Sequence, residues 1–391
     1  MLATAPRLLG HSVFSGLAVA WTATSLFGYG VAMPTEQLIA RRISAADHNV
    51  TRGPARRLVA AALVSTIAVF VWTGWSATAA HFAYTRPALV LGIWGWTLAA
   101  CGRGHVAGLS DLKHYAWLFG AEASARILLV AACIAFPTEA PILFALSPGV
   151  PILLAGALAC IWTRSLPRDP GVRHTTAHEG RGEQLAFVFV ALAYQVCLGG
   201  APLVLDWRIG VSDPSAVGAF VVASSYFRLA TVVAGGFATP ALLGLTRAHA
   251  RGDYRQFSAI FGKSVGGVAA VAGGASCAAL LGAPVALPVL YGRPIDIGAG
   301  IAIAIAGSSV LATTATVAGS GLMALNRAGA AAVFWMTGAV CLVLLVSIDT
   351  EIGAGTVVGT VAGPGVALAG LLVVAIRTLR RCTREPALRT T

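Results

Sequence analysis

Eleven long apolar runs, separated by short polar connectors, organise the chain. They cover roughly residues 10–38, 58–80, 86–103, 114–136, 139–163, 184–205, 214–245, 260–290, 297–325, 329–348 and 353–377. About 20 apolar residues is the length of one bilayer-crossing helix. Continuous runs, without alternation of apolar and polar positions, exclude a β-barrel. The pattern predicts an all-α polytopic membrane protein of about 11 transmembrane helices. Arg7 ahead of the first run could open a signal peptide ending near "AVA" (18–20). The run continues well past Ala20, which favours a span.

The connectors carry the charge. With alternate connectors assigned to the same side, one side holds 21 of the 27 basic residues, Arg103 among them, and the other holds Arg7, Arg86, Arg208 and Arg293. Only Arg126 and Arg228 then fall inside spans. By the positive-inside rule the basic side is cytoplasmic, so the chain reads N-terminus out and C-terminus in.

Composition narrows the class. The chain is 57% hydrophobic and 11% charged, with a mean hydropathy of +0.80, which no soluble domain matches. Its 45 glycines suit close helix packing within a bilayer. Only Lys113 and Lys263 are lysines; all other basic residues are arginine. With the Ala/Gly/Val bias this suggests a GC-rich bacterial genome, and so a bacterial cytoplasmic membrane. The net charge of +12 sits in topogenic clusters and predicts no nucleic-acid partner. The seven cysteines form no CxxC pair and read as buried apolar residues. His174 and His178 lie four apart in a Pro/Gly-containing polar loop, without HExxH spacing, so no metal site is expected. There is no Walker A pattern, dinucleotide loop or Ser/His/Asp set, and no connector much exceeds twenty residues. No enzyme activity and no cofactor are expected.

"GVAMPTEQLIARRISAAD" (30–47) and "GFATPALLGLTRAHARGD" (236–253) align without a gap at an offset of 206, matching Gly30/Gly236, Pro34/Pro240, Arg41/Arg247 and Asp47/Asp253. The two spans face the same way, which describes a parallel repeat of six-span units. The expected organisation is an N-terminal lobe of five spans (1–165) and a cytoplasmic linker (166–183). A C-terminal lobe of six spans (184–378) and a basic tail (379–391) follow. The first lobe lacks the span that should precede residue 10, so an upstream start or a lost helix is expected.

Polar residues inside the spans are the candidate site. Arg228 is expected near mid-span, at a cost of at least ~2.5–3.5 kcal/mol. Ser224, Thr231 and Gly235 share its helix face. A guanidinium matches phosphate bidentately and keeps its charge when desolvated, so the face reads as an anion site, or else as a structural arginine bonded to backbone. Thr22 and Ser25 are the offset equivalents of Arg228 and Thr231. Glu122 and Arg126, four apart, read as an intrahelical ion pair, with Arg126 as a second phosphate contact. Glu36 is either a gate or coupling carboxylate or an end residue reaching the interface. Asp206 and Arg208 read as a pair at the outer rim.

Two six-helix lobes, the mid-span Arg228 and the exit Pro240…Arg247…Gly252-Asp253…Phe257 together resemble the polysaccharide flippases of the multidrug/oligosaccharidyl-lipid/polysaccharide exporter superfamily. "YGRPI" (291–295) is similar to that family's aromatic–Gly turn, and "EASARILLV" (122–130) to its Glu–x–x–x–Arg helix. The resemblance implies alternating access by two lobes about a central cavity. It implies an isoprenoid-pyrophosphate-linked sugar as cargo, membrane lipids as surroundings, and glycan-assembly enzymes as candidate partners. The alternatives are a drug/cation antiporter of the same superfamily, a membrane-embedded glycan-assembly enzyme, and a non-transporting scaffold. Glu122 beside Arg126 argues against the first, and the short outer connectors against the second.

Overall fold

The computed structural model describes residues 5–9, 11–44, 52–75, 84–109, 111–165, 181–210, 212–228, 231, 238–292, 295, 297–349 and 351–388. Among them the secondary structure is entirely helical, with no strand. Most of the expected linker, with His174 and His178, lies outside the described residues. So do Asp47, Gly235, Gly236 and the last three residues of the tail.

A helix stands at each of the eleven apolar runs. The described residues contain seven helices long and apolar enough to cross a membrane, or eight with the pair at 137–163, which is bent by 49°. The protein therefore has a polytopic membrane fold, with seven or eight spans supported by helix length and apolarity.

The chain divides into two compact units: Met1–Gln184 with Ile209–Val221 and Leu290–Gly292, and Leu185–Arg208, Val222–Val289 and Arg293–Thr391. In the first unit, α1 (Ala5–Leu8) and α2 (His11–Phe27) lead into a π-helical turn, Gly28–Ala32, and on into α3 (Met33–Ser44). Then come α4 (Arg52–Trp75), α5 (Thr85–Gly108) and α6 (Leu112–Ala135), and after a 3₁₀ turn the bent pair α7 (Ala140–Leu146) and α8 (Val150–Ser165). Helix α5 is the hub, packed against α2, α3, α4 and α8. Two glycines show why. A Cβ on Gly156 would lie 2.6 Å from the Ala99 amide nitrogen, and one on Gly104 would lie 2.8 Å from the Glu36 carbonyl. Only backbone contact fits there, as small residues permit between membrane helices.

The remaining helices are α9 (Arg181–Ile209), α10 (Pro214–Phe227), α11 (Ala238–Ala250), α12 (Tyr254–Tyr291), α13 (Ala299–Ala324), α14 (Ala328–Ile348) and α15 (Ala354–Leu388). The second unit's core gathers Trp335, Ala315, Ala318, Leu322, Ala339, Ala367 and Leu371. Helices α3 and α11 stand at the 206-residue offset to within one residue. The Gly-Asp pair between α11 and α12 is helix punctuation. Gly252, at φ 68°, takes the left-handed conformation that ends α11, and Asp253 caps α12 by accepting from the Gln256 amide at 2.8 Å.

Candidate functional site

Four charged side chains from three helices of the first unit form one chain of ion pairs. Glu36 on α3 accepts from Arg103 Nε at 3.1 Å, and Arg103 Nη1 donates to Glu122 Oε2 on α6 at 3.1 Å. The other oxygen of Glu122 accepts from Arg126 Nη2 at 2.7 Å. The Tyr115 hydroxyl donates to Glu36 at 2.7 Å. Arg103 is flanked by the rings of Trp96 and Phe119, at 5.3 and 4.7 Å, a cation–π setting that suits a desolvated guanidinium. The signs alternate and cancel, which is what lets four charges stay in a low-dielectric interior.

Exposure falls off along the chain. The side chains of Arg103 and Glu36 are 1% and 4% exposed, those of Glu122 and Arg126 12% and 23%. The exposed end opens on a cavity of about 300 Å³ lined by Trp21, Thr24, Ser25, Tyr29, Trp96, Glu122 and Arg126, with Pro148 and Ile152. Arg126 lies 5.0 Å over the ring of Trp21, and Tyr29 meets Trp96 edge-on. The wall depends on the π turn. Trp96 lies flat enough on Gly28 that a Cβ there would come within 2.2 Å of the indole. Chemically this is an aromatic box with an ion pair, Glu122 and Arg126, at its edge, a form that accepts an amphipathic ligand.

Of the expected residues, Ser25, Glu122 and Arg126 therefore share a cavity. Thr22 is half-buried and its hydroxyl donates to the Ala18 carbonyl at 2.9 Å. Glu36 is buried rather than reaching an interface, and touches the cavity only through Arg103 and Glu122. Arg103 itself was expected in a cytoplasmic connector. It is instead inside α5, because that helix runs on to Gly108. The ion pair of Glu122 is correspondingly three-membered rather than intrahelical alone.

Arg228 also departs from expectation. Helix α10 stops at Phe227, and Arg228 occupies the closing turn. Its amide donates to the Ser224 carbonyl at 3.1 Å, and its own carbonyl accepts from the Thr231 amide and hydroxyl at 2.9 and 2.7 Å. A helix C-terminus is the negative end of the macrodipole, which offsets part of the cost of burying a cation there. Arg228 Nε and, one turn earlier, Ser224 Oγ are buried with no hydrogen-bond partner. Among the described residues no carboxylate pairs with the Arg228 guanidinium. Tyr194, whose hydroxyl bonds Thr316, lies nearby in the same unit. Asp206 and Arg208 fall in the last turn of α9; Asp206 is 1% exposed, and the Arg208 guanidinium lies 5.8 Å from the Trp207 ring centroid.

These features define a polytopic helical membrane protein with charged groups held inside its bundle. Solved structures place the fold. The chain is similar to a multidrug resistance MATE family transporter of the MOP superfamily in an inward-facing conformation, with 16% identity, 98% of this chain and 96% of that one covered, and a TM-score of 0.71. The outward-facing conformation of a MATE family transporter of that superfamily matches with 14% identity, 98% and 97% covered, and a TM-score of 0.60. A MOP superfamily transporter from Pyrococcus furiosus, described by the reverse polarity of its binding pocket, matches with 14% identity, 98% and 94% covered, and a TM-score of 0.64. The chain shares the fold of these solved structures. No protein-family model matches the chain, and no curated protein does.

Proposed function

We propose that the protein is a transporter that moves an anionic, lipid-linked cargo across the bacterial cytoplasmic membrane by alternating access, and that the cargo is an isoprenoid-pyrophosphate-linked oligosaccharide or polysaccharide precursor. The observation that carries this reading is Arg228, a cation whose Nε is buried without a partner. A buried charge is stable only when something pairs with it for part of its working life, and the partner with matching chemistry is a phosphate. In the second unit Ser224 and Thr231 flank Arg228; in the first unit Arg126 and Ser25 line the aromatic cavity and offer an anion contact of their own. The cavity holds one carboxylate and one guanidinium already paired to each other, a poor receptor for a cationic drug.

A drug/cation antiporter is the rival, since the structural neighbours described as multidrug transporters share the fold. The test is cargo class. Protein reconstituted in liposomes should translocate a fluorescent isoprenyl-pyrophosphate lipid and should not expel a cationic dye in response to a proton gradient.

The orientation proposed is N-terminus outside and C-terminus inside, on the strength of the basic connectors. Twenty basic residues remain on that side once Arg103 is assigned to α5. Reporter fusions after Arg173 and after Arg208 are expected on opposite faces of the membrane. The same face for both would overturn the orientation and the span order together.

A further inference from the structure

The ion-pair chain of the first unit reaches the cavity at one end only. Glu36 and Arg103 do not line it. They are among the most buried charges of the described residues, and both are joined to Arg126 through a single side chain, Glu122. Glu122 divides its two oxygens between two guanidiniums, Oε2 to Arg103 and Oε1 to Arg126. The two arginines therefore compete for one carboxylate. What Arg103 does not take from Glu122, Arg126 receives, and an Arg126 held by Glu122 is less available to an incoming anion. Glu36 sets how much Arg103 needs, because it is that guanidinium's other carboxylate partner.

We propose that Glu36 and Arg103 are positioning residues that set the affinity of Arg126 for a phosphate-bearing cargo, acting through Glu122. The inference rests on the proposed anionic cargo and assigns its affinity control to groups that never touch it. The predicted effects have opposite signs. With Glu36→Gln, Arg103 loses an anionic partner and draws Glu122 toward itself. Arg126 is released, and anion binding tightens by about fivefold, a typical size for coupling between groups in one charge network. With Arg103→Gln, Glu122 is left to Arg126 alone and binding weakens. In the double substitution Glu36→Gln/Arg103→Gln the link between Glu36 and Glu122 is gone, so the gain from Glu36→Gln disappears and binding falls to the Arg103→Gln level. Residues that merely hold helices together would give no such pattern, since neither single loss would tighten binding.

The experiment is calorimetric titration of the purified full-length protein in nanodiscs with two probes, inorganic pyrophosphate and farnesyl pyrophosphate. Wild type, Glu36→Gln, the double variant and Arg126→Gln are compared. Tighter binding in Glu36→Gln, loss of that gain in the double variant and loss of binding in Arg126→Gln are the expected results. The same pattern with both probes assigns recognition to the pyrophosphate alone, and the pattern with farnesyl pyrophosphate only assigns it to the lipid-linked form. If wild type binds and Arg126→Gln does not, but Glu36→Gln binds like wild type or more weakly, the positioning role is overturned and the anionic-cargo reading stands. If wild type binds neither probe, both fall. The double variant keeps the test open should Arg103→Gln alone fold poorly, because it removes one of the two carboxylates that Arg103 links.

Discussion

Replacing Arg228 with alanine is expected to abolish transport and to leave the amount of folded protein in the membrane at the wild-type level. The expectation follows from where the residue sits. Among the described residues its guanidinium has no ion pair, and its Nε is buried without a hydrogen bond. Removing a buried charge is destabilising chiefly when it strands a partner, and here none is stranded. Helix α10 closes with backbone bonds that alanine keeps, from the residue-228 amide to Ser224 and from Thr231 to the residue-228 carbonyl. Arg228→Lys keeps the charge but loses the planar fork, so transport should fall only in part. The check is complementation of a flippase-deficient strain with the membrane-inserted protein quantified in parallel. Loss of folded protein in Arg228→Ala would make the residue structural.

The same kind of substitution at Arg103 should do the opposite. Arg103→Met removes the link between two carboxylates, leaving Glu36 with only the Tyr115 hydroxyl and Glu122 with only Arg126. Breaking a buried pair costs about 3–5 kcal/mol, enough to abolish most folded protein in a marginally stable fold. Loss of the guanidinium between Trp96 and Phe119 adds to the cost. The measurement is thermal unfolding in detergent, where a large drop in Tm is expected. Adding Glu36→Gln to Arg103→Met should recover part of it by removing one stranded carboxylate. An unchanged Tm for Arg103→Met would mean that the network does not hold the first unit together.

The contrast between the two arginines also shows what the chain discloses before it is folded. Hydropathy placed a helix at every apolar run because membrane helices must satisfy their backbone internally, and that constraint is written in composition. It placed Arg103 wrongly for the same reason: a polar residue near the end of an apolar run looks like the start of a connector. The correcting signal was present in Gly104-His-Val-Ala-Gly108, small residues four apart of the kind that let two membrane helices touch. Those glycines lie against the backbone and side chains of α3, so α5 must continue past Arg103. The early end of α10 had no such mark, since nothing in "SSYFRLATVV" breaks a helix by composition. The π turn at Gly28–Ala32 was likewise unmarked beyond its two glycines. Glu122 and Arg126 were legible as a pair from their spacing of four. That Arg103 would be the third member was not, because contacts between residues 67 and 19 positions apart are a property of packing rather than of local pattern.

An anionic lipid cargo is tested most directly by a flipping assay. Purified protein is reconstituted into liposomes carrying a fluorescent isoprenyl-pyrophosphate lipid in both leaflets, and fluorescence is then quenched by a membrane-impermeant reductant. With wild-type protein the inner-leaflet fluorescence should also be lost, as lipid is carried outward to the reductant, while Arg228→Ala vesicles should retain it as protein-free vesicles do. Retention of the inner-leaflet signal with wild-type protein, together with proton-driven expulsion of a cationic dye from the same vesicles, would contradict the account.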